Sequence, residues 1–219
     1  NGKLTITARD AVIVEIVGNK ATYEYDGKPH EVNGYTVKSI SNKLYTESDF
    51  SLAAGVTAQA KGTNVGTYKM GLTDKSFVNT NPNFANVTFV VTDGELKITK
   101  RGAGEDKVVL KAADNTVTYD GQAHGAKLNA AGKIEVGTSY TITNLAEGHS
   151  VQTVAIDGSE TNVGEYPGKL APSGAVIVDK DGNDVTENYE VTHVNGKLTI
   201  TARDAVIVEI VGNKATYEY

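Results

Sequence analysis

The stretch Asn1-Gly2-Lys3-Leu4-Thr5-Ile6-Thr7-Ala8-Arg9-Asp10 runs directly into Ala11-Val12-Ile13-Val14-Glu15-Ile16-Val17-Gly18-Asn19-Lys20-Ala21-Thr22-Tyr23-Glu24-Tyr25, and residues 195–219 repeat all 25 letters unchanged. Chance does not produce such a run, so repetition organises this sequence before any local feature does. Leu4 and Ile6 alternate with Lys3 and Thr5, the signature of a strand with one buried face. Leu96/Ile98 and Leu198/Ile200 repeat the pattern downstream. Val12 to Val17 is β-branched almost throughout, which predicts a more deeply buried strand.

A weaker repeat lies inside the strict one. Thr22-Tyr23-Glu24-Tyr25-Asp26-Gly27-Lys28-Pro29-His30 matches Thr116-Val117-Thr118-Tyr119-Asp120-Gly121-Gln122-Ala123-His124 at an offset of 94 residues. Gly62-Thr63-Asn64-Val65-Gly66-Thr67-Tyr68 matches Glu160-Thr161-Asn162-Val163-Gly164-Glu165-Tyr166 at 98, and Asp93-Gly94-Glu95-Leu96 matches Asn195-Gly196-Lys197-Leu198 at 102. The order is kept while the offset drifts, as for two related domains that differ by loop insertions. A period of about 100 residues is too long for a solenoid unit and suits whole domains in tandem. The expected division is the last strand of a preceding repeat at 1–10, one repeat domain at 11–101, a second at 102–203, and the first strand of a following repeat at 204–219. The chain then reads as a window on a longer array. Ala8-Arg9-Asp10 leaves little slack between neighbours, whereas the two glycines of Arg101-Gly102-Ala103-Gly104-Glu105-Asp106 allow more bending. Strand edges exposed at the ends are expected to seek partners in another molecule or in a neighbouring sheet.

Val87, Phe89 and Val91 continue the period-two pattern, and Tyr189 and Val191 repeat that face. Asp26-Gly27, Asp93-Gly94, Asp120-Gly121, Asp181-Gly182 and Asn195-Gly196 read as turn dipeptides that tolerate positive φ. No segment carries a long 3.6-residue stripe; short helical turns are expected at Ser51–Ala54 and Asn144–Glu147, where a capping residue leads into Leu and Ala. The fold class is mostly β, with at most a short helix per domain, as two tandem domains arranged end to end.

Composition removes several functions. The absence of Cys excludes disulfides, thiolate metal sites and a Cys nucleophile. A net charge of −6 argues against nucleic-acid binding, which needs clustered Lys and Arg. No run approaches the roughly 20 apolar residues of a membrane span. There is no Gly-x-Ser-x-Gly elbow, no phosphate loop, and His149-Ser150 is adjacency without a third orienting group. The acidic residues are scattered over polar strand faces, not paired in a cleft. No enzyme activity is expected.

Three blocks in fixed order carry a family resemblance: Tyr-Asp-Gly-x-x-His, then Thr-Asn-Val-Gly-x-Tyr, then Asn188-Tyr189 followed after six residues by Gly-x-Leu-x-Ile-Thr. The chain resembles the MBG ("mostly beta grasp") tandem repeats of Gram-positive, especially Firmicute, cell-surface adhesins. Domain 1 departs in having Asn86-Val87 where domain 2 has Asn188-Tyr189. The resemblance implies β-grasp-like domains, an extracellular location on the bacterial surface, cell-wall attachment through other parts of the parent chain, and a stalk or adhesive role. It supplies no catalytic residues and no cofactor. Absence of Cys fits such arrays, so it does not place the chain in the cytoplasm.

Candidate ligand sites come from residue chemistry. Asp179-Lys180-Asp181-Gly182-Asn183-Asp184 has the oxygen density calcium prefers, with Asp179, Asp181 and Asp184 as candidate ligands, although the spacing departs from an EF-hand loop. The competing reading is a solvated turn on Asp181-Gly182. Tyrosines are 11 of the 15 aromatic residues, and an exposed Tyr can stack on a sugar ring. Tyr35, Tyr45 and Tyr140 are the candidates for that role. Tyr25, Tyr119, Tyr68 and Tyr166 recur beside turn motifs, which suits core rings whose hydroxyls fasten loops, and His30 and His124 suit structural hydrogen bonds after the Tyr-Asp-Gly turn. The function expected is a non-catalytic stalk segment that projects a distal binding region, its partners being neighbouring repeats of the same chain. The alternative is a multivalent module for host glycan, mucin or matrix protein, gaining avidity from many weak sites.

Overall fold

The computed structural model describes residues 2–4 and 11–219. The strand expected within 1–10 therefore falls almost wholly outside the described residues. The first repeat contains β1 (Val12–Gly18), β2 (Lys20–Glu24), β3 (His30–Asn33), β4 (Tyr35–Ile40), β5 (Phe50–Leu52), β6 (Gln59–Gly62), β7 (Gly66–Lys69), β8 (Phe77–Asn79), β9 (Val87–Thr92) and β10 (Glu95–Thr99). The second contains β11 (Val108–Ala112), β12 (Asn115–Thr118), β13 (Tyr140–Ile142), β14 (Ser150–Asp157), β15 (Gly164–Val178), β16 (Val191–Val194) and β17 (Gly196–Thr201). The chain is mostly β, as the alternation predicts. Among the described residues no helix is long and apolar enough to cross a membrane.

The central pairing is alike in the two repeats. β1 lies between β4 and β9, and β10 lies between β2 and β7. Correspondingly, β11 lies between β13 and β16, and β17 lies between β12 and β15. The strands that open a repeat run parallel to the strands that close it. Val12 pairs with Val87 and Val17 with Thr92; beyond the crossing Lys20 pairs with Glu95 and Glu24 with Thr99, so the register never slips. In the second repeat Asn115 to Thr118 pairs in parallel with Leu198 to Thr201.

At the crossing both ribbons pass from one sheet to the other in close contact. A Cβ on Gly18 would lie 2.3 Å from the Gly94 nitrogen, and one on Gly94 would lie 2.7 Å from the Asn19 carbonyl oxygen. Gly94 and Gly196 are absent from the positive-φ residues, whereas Gly27, Gly121 and Gly182 have φ of 79°, 84° and 84°. Asp93-Gly94 and Asn195-Gly196 are thus glycines of close approach, not of turn geometry.

By contacts the chain forms two compact units, neither continuous in sequence. Unit 1 is Asn1–Val108, Thr143–Gln152 and Val176–Thr192; unit 2 is Val109–Ile142, Thr153–Ala175 and His193–Tyr219. The core of unit 1 packs Val12, Val14 and Ile16 of β1 against Tyr45 and all four phenylalanines of the chain, Phe50, Phe77, Phe84 and Phe89. The opposite face of β1 stays open, with Ile13 at 48% exposure, so this strand buries one face and not both. Unit 2 packs Ala112, Leu170, Leu198 and Ile200 with Val117, Ile156 and Tyr166.

The only helical elements among the described residues are 3-10 turns at Glu47–Asp49, Asp74–Ser76 and Thr186–Asn188. The turns expected at Ser51–Ala54 and Asn144–Glu147 do not form. Ser51 and Leu52 belong to β5, paired with Val78 and Phe77, so long-range pairing overrides the local cap signal. Asn144 instead takes a left-handed conformation, φ 64°. Residues 204–219, whose letters from 205 onward equal 11–25, carry no regular secondary structure and are exposed.

Candidate functional site

The Tyr-Asp-Gly-x-x-His block builds the same local lock in both copies. At the end of β2 the Tyr25 amide donates to the Thr99 carbonyl at 2.9 Å. Asp26 Oδ1 then accepts from the Lys28 amide and pairs with His30 Nε2, each at 2.9 Å. Burial alone would raise the Asp26 carboxyl, but the Lys28 amide and His30 outweigh it and hold it below its ordinary value. In the second copy Tyr119 donates to Thr201 at 2.9 Å, and Asp120 Oδ1 meets the Gln122 amide at 2.9 Å and His124 at 2.8 Å. The Thr-Asn-Val-Gly-x-Tyr block is equally alike: Tyr68 donates to the Asn64 carbonyl at 2.8 Å, Tyr166 to that of Asn162 at 2.9 Å.

The lock turns Tyr25 inward, where it is 2% exposed. Its ring meets the edge of Tyr189 at 5.5 Å and that of His149 at 5.9 Å. Tyr189 comes from the chain entering β16, and His149 from the loop after β13; all three lie in unit 1. The Tyr189 hydroxyl accepts from the Ala146 amide at 3.2 Å and lies 2.7 Å from His149 Nδ1. Burial pushes that hydroxyl up to about 12, so it stays protonated. Burial lowers His149; the Asp179 carboxylate opposes this and Arg101 reinforces it. A neutral His149 with its proton on Nε2 satisfies the network: Nδ1 accepts the Tyr189 proton while Tyr189 accepts from Ala146. Position 27 suits glycine, because φ is 79° and a Cβ there would lie 2.7 Å from His149 Nε2.

Two polar anchors flank the rings. Arg101 donates through Nε to the Asn144 carbonyl at 2.6 Å, through Nη2 to Asn144 Oδ1 at 2.9 Å, and through Nη1 to the Tyr25 carbonyl at 3.4 Å. Asn144 Nδ2 donates to Asp106, which explains why an asparagine takes the left-handed position there. Asn188, 6% exposed, accepts from the Val65 amide at 2.8 Å and donates to Asn64 Oδ1 at 3.2 Å. The cluster holds residues 144–149 and 186–190 against the turns of residues 24–28, 64–65 and 101–102. Most of its polar groups are spent on one another. The arrangement is a clasp, with no free nucleophile positioned beside a base.

The family model for the MBG domain matches residues 12–100, from the first residue of β1 to the residue after β10. Residues 12–100 are thus the MBG-like part of the chain. No curated protein and no solved structure matches the chain. MBG domains are structural repeat modules, typically extracellular.

The candidates for sugar stacking lie in packed surroundings. Tyr45 is 2% exposed in the core of the MBG domain, and its hydroxyl donates to the Asp49 carbonyl and to Asn79 Oδ1, both at 3.0 Å. Tyr140 is 4% exposed. Tyr35 is half-buried with its ring edge-on to Phe77 at 5.0 Å. Burial raises all three hydroxyls. The three candidate calcium ligands are occupied in a turn. Asp179 takes the Asn183 side chain and amide and the Asp181 amide, Asp184 takes Thr186, and Asp181 pairs with Lys180. Among the described residues no group of three or more His, Asp or Glu is placed to hold a metal ion.

Sequence reading found Tyr25 but missed its partners. Nothing local marks His149, Tyr189, Arg101, Asn144 and Asn188 as a cluster, because they lie 38 or more residues from the groups they hold. The available signal was the Asn-Tyr pair of the third block.

Proposed function

We propose that this chain is a non-catalytic, tandem-repeat stalk segment of a large bacterial cell-surface adhesin, carrying a distal binding region away from the cell wall. The observation that carries this reading is the clasp. Segments of the second repeat are committed, through Tyr189, His149, Asn144 and Asn188, to covering the turns at the end of the MBG domain. Side chains spent on gripping the adjacent repeat favour a spacer over a ligand site. The unchanged 25-residue repeat also favours length over chemical variety. The repeat domains are taken as 11–101 and 102–203. Small-angle scattering on this chain, and on arrays longer by one and two periods, tests the reading. The maximum dimension should rise by a constant increment per added repeat. A dimension that grows only as the cube root of mass, as a compact globule does, would refute it.

A further inference from the structure

The chain carries two copies of one surface, one covered and one bare. In the MBG domain Tyr25 is 2% exposed under His149 and Tyr189, and the Val65 amide is capped by Asn188. In the second repeat the Tyr119 turn and the Val163 turn have the same internal hydrogen bonds, to within 0.1 Å. Yet Tyr119 is 38% exposed and Val163 52% exposed. Among the described residues the Val163 amide has no hydrogen-bond partner. Arg203, two residues past Thr201 as Arg101 is past Thr99, is exposed. The second surface is therefore formed in advance, and its apolar ring and its free amide donor face solvent. A surface already in its bound shape docks without an ordering cost.

We infer that the edge made by Tyr119, Gly121, Val163 and Arg203 is a docking surface for a further MBG domain of the kind residues 12–100 form. The sequence after Thr201 repeats Ala11 to Tyr25, the opening of that domain, which selects this occupant. The domain also carries the matching face. Leu52-Ala53-Ala54-Gly55-Val56 parallels Leu145-Ala146-Glu147-Gly148-His149, with Gly55 and Gly148 at φ 80° and 79°. Asn86-Val87 parallels Asn188-Tyr189 at the entry to β9 and β16. Asn86 and Gly55 are exposed in the MBG domain, so they are free to meet a neighbour. Asn86 would cap the Val163 amide, and Val56 would cover the Tyr119 ring where His149 covers Tyr25, while Val87 packs on the core of its own domain. The two seams of the array then alternate in chemistry, one polar and containing histidine, the other apolar.

This inference rests on the tandem-repeat reading and is tested apart from it. Appending a copy of residues 26–101 after Tyr219 completes a second such domain, because 205–219 already equals 11–25. Amide exchange at Val163, read by NMR, should slow about tenfold or more relative to the unextended chain. Replacing the appended counterpart of Asn86 by Ala should return Val163 to its original rate, just as Asn188→Ala should release Val65. A Val163 rate unchanged by the extension overturns the docking surface. Scattering dimensions that still grow linearly alongside an unchanged Val163 would leave the stalk standing as a chain of unclasped domains.

Discussion

Tyr189→Phe isolates the polar part of the clasp. The substitution keeps the ring, and with it the edge contacts at 5.5 Å to Tyr25 and 5.9 Å to His149. It deletes the hydroxyl that accepts from the Ala146 amide and meets His149 Nδ1. Ala146 is 5% exposed, so its amide loses its acceptor with little water to replace it, at about 1–3 kcal/mol. His149 is half-buried and can turn toward solvent, which limits its share to about 1 kcal/mol. The expected cost is about 2–4 kcal/mol, borne by unit 1. With a urea slope of about 2 kcal/mol/M, the unfolding midpoint of that unit should fall by about 1–2 M. The assay is urea unfolding followed by tyrosine near-ultraviolet circular dichroism, fitted with one transition per unit. A shift below about 0.2 M would show that the hydroxyl is dispensable and that the rings alone hold the clasp.

Two further outcomes follow from the same geometry. His149 is held below its unfolded value, so the folded state favours the neutral ring; its contribution is fully present above pH ~6.5 and is lost as pH falls from there through the folded value. Between pH 7.5 and 5 the melting temperature of the wild type should therefore fall more steeply than that of His149→Phe, and parallel curves would contradict the assignment. Gly18→Ala places a Cβ 2.3 Å from the Gly94 nitrogen, a backbone atom that cannot swing aside. It should cost about 3 kcal/mol in thermal unfolding, and a cost under about 1 kcal/mol would mean that the crossing has room to open.

The strands were legible because their signal is local. Leu96, Ile98, Leu198 and Ile200 are all 2% exposed or less, as their alternation with Lys and Thr requires. The repeats were legible for a similar reason, since letters recur wherever structure does. Sheet order was not, because parallel pairing joins residues such as Val12 and Val87 whose adjacency no local pattern encodes. The same holds for the clasp. His149 beside Ser150 looked inert in sequence, and its meaning comes from Tyr189, 40 residues away. Tyr45 and Tyr140 show the converse: their residue type suits a ligand contact, and burial, which residue type does not encode, sets both rings inside the fold. Asp93-Gly94 shows a third kind: the dipeptide was read for its φ, whereas the fold uses the glycine for its missing side chain.

The unbroken parallel register of the opening and closing ribbons has a mechanical consequence. The MBG domain begins at Val12 and its last strand ends at Thr99, at opposite ends of the paired ribbons. A pull on the two ends would slide one ribbon along the other. Such a load falls on the whole ladder at once, in shear, and all its bonds must fail together. An antiparallel pair held by adjacent ends would instead unzip one bond at a time. A domain so built is a link whose grip runs along the line of the pull, and its resistance is set by the rate of forced opening more than by equilibrium stability.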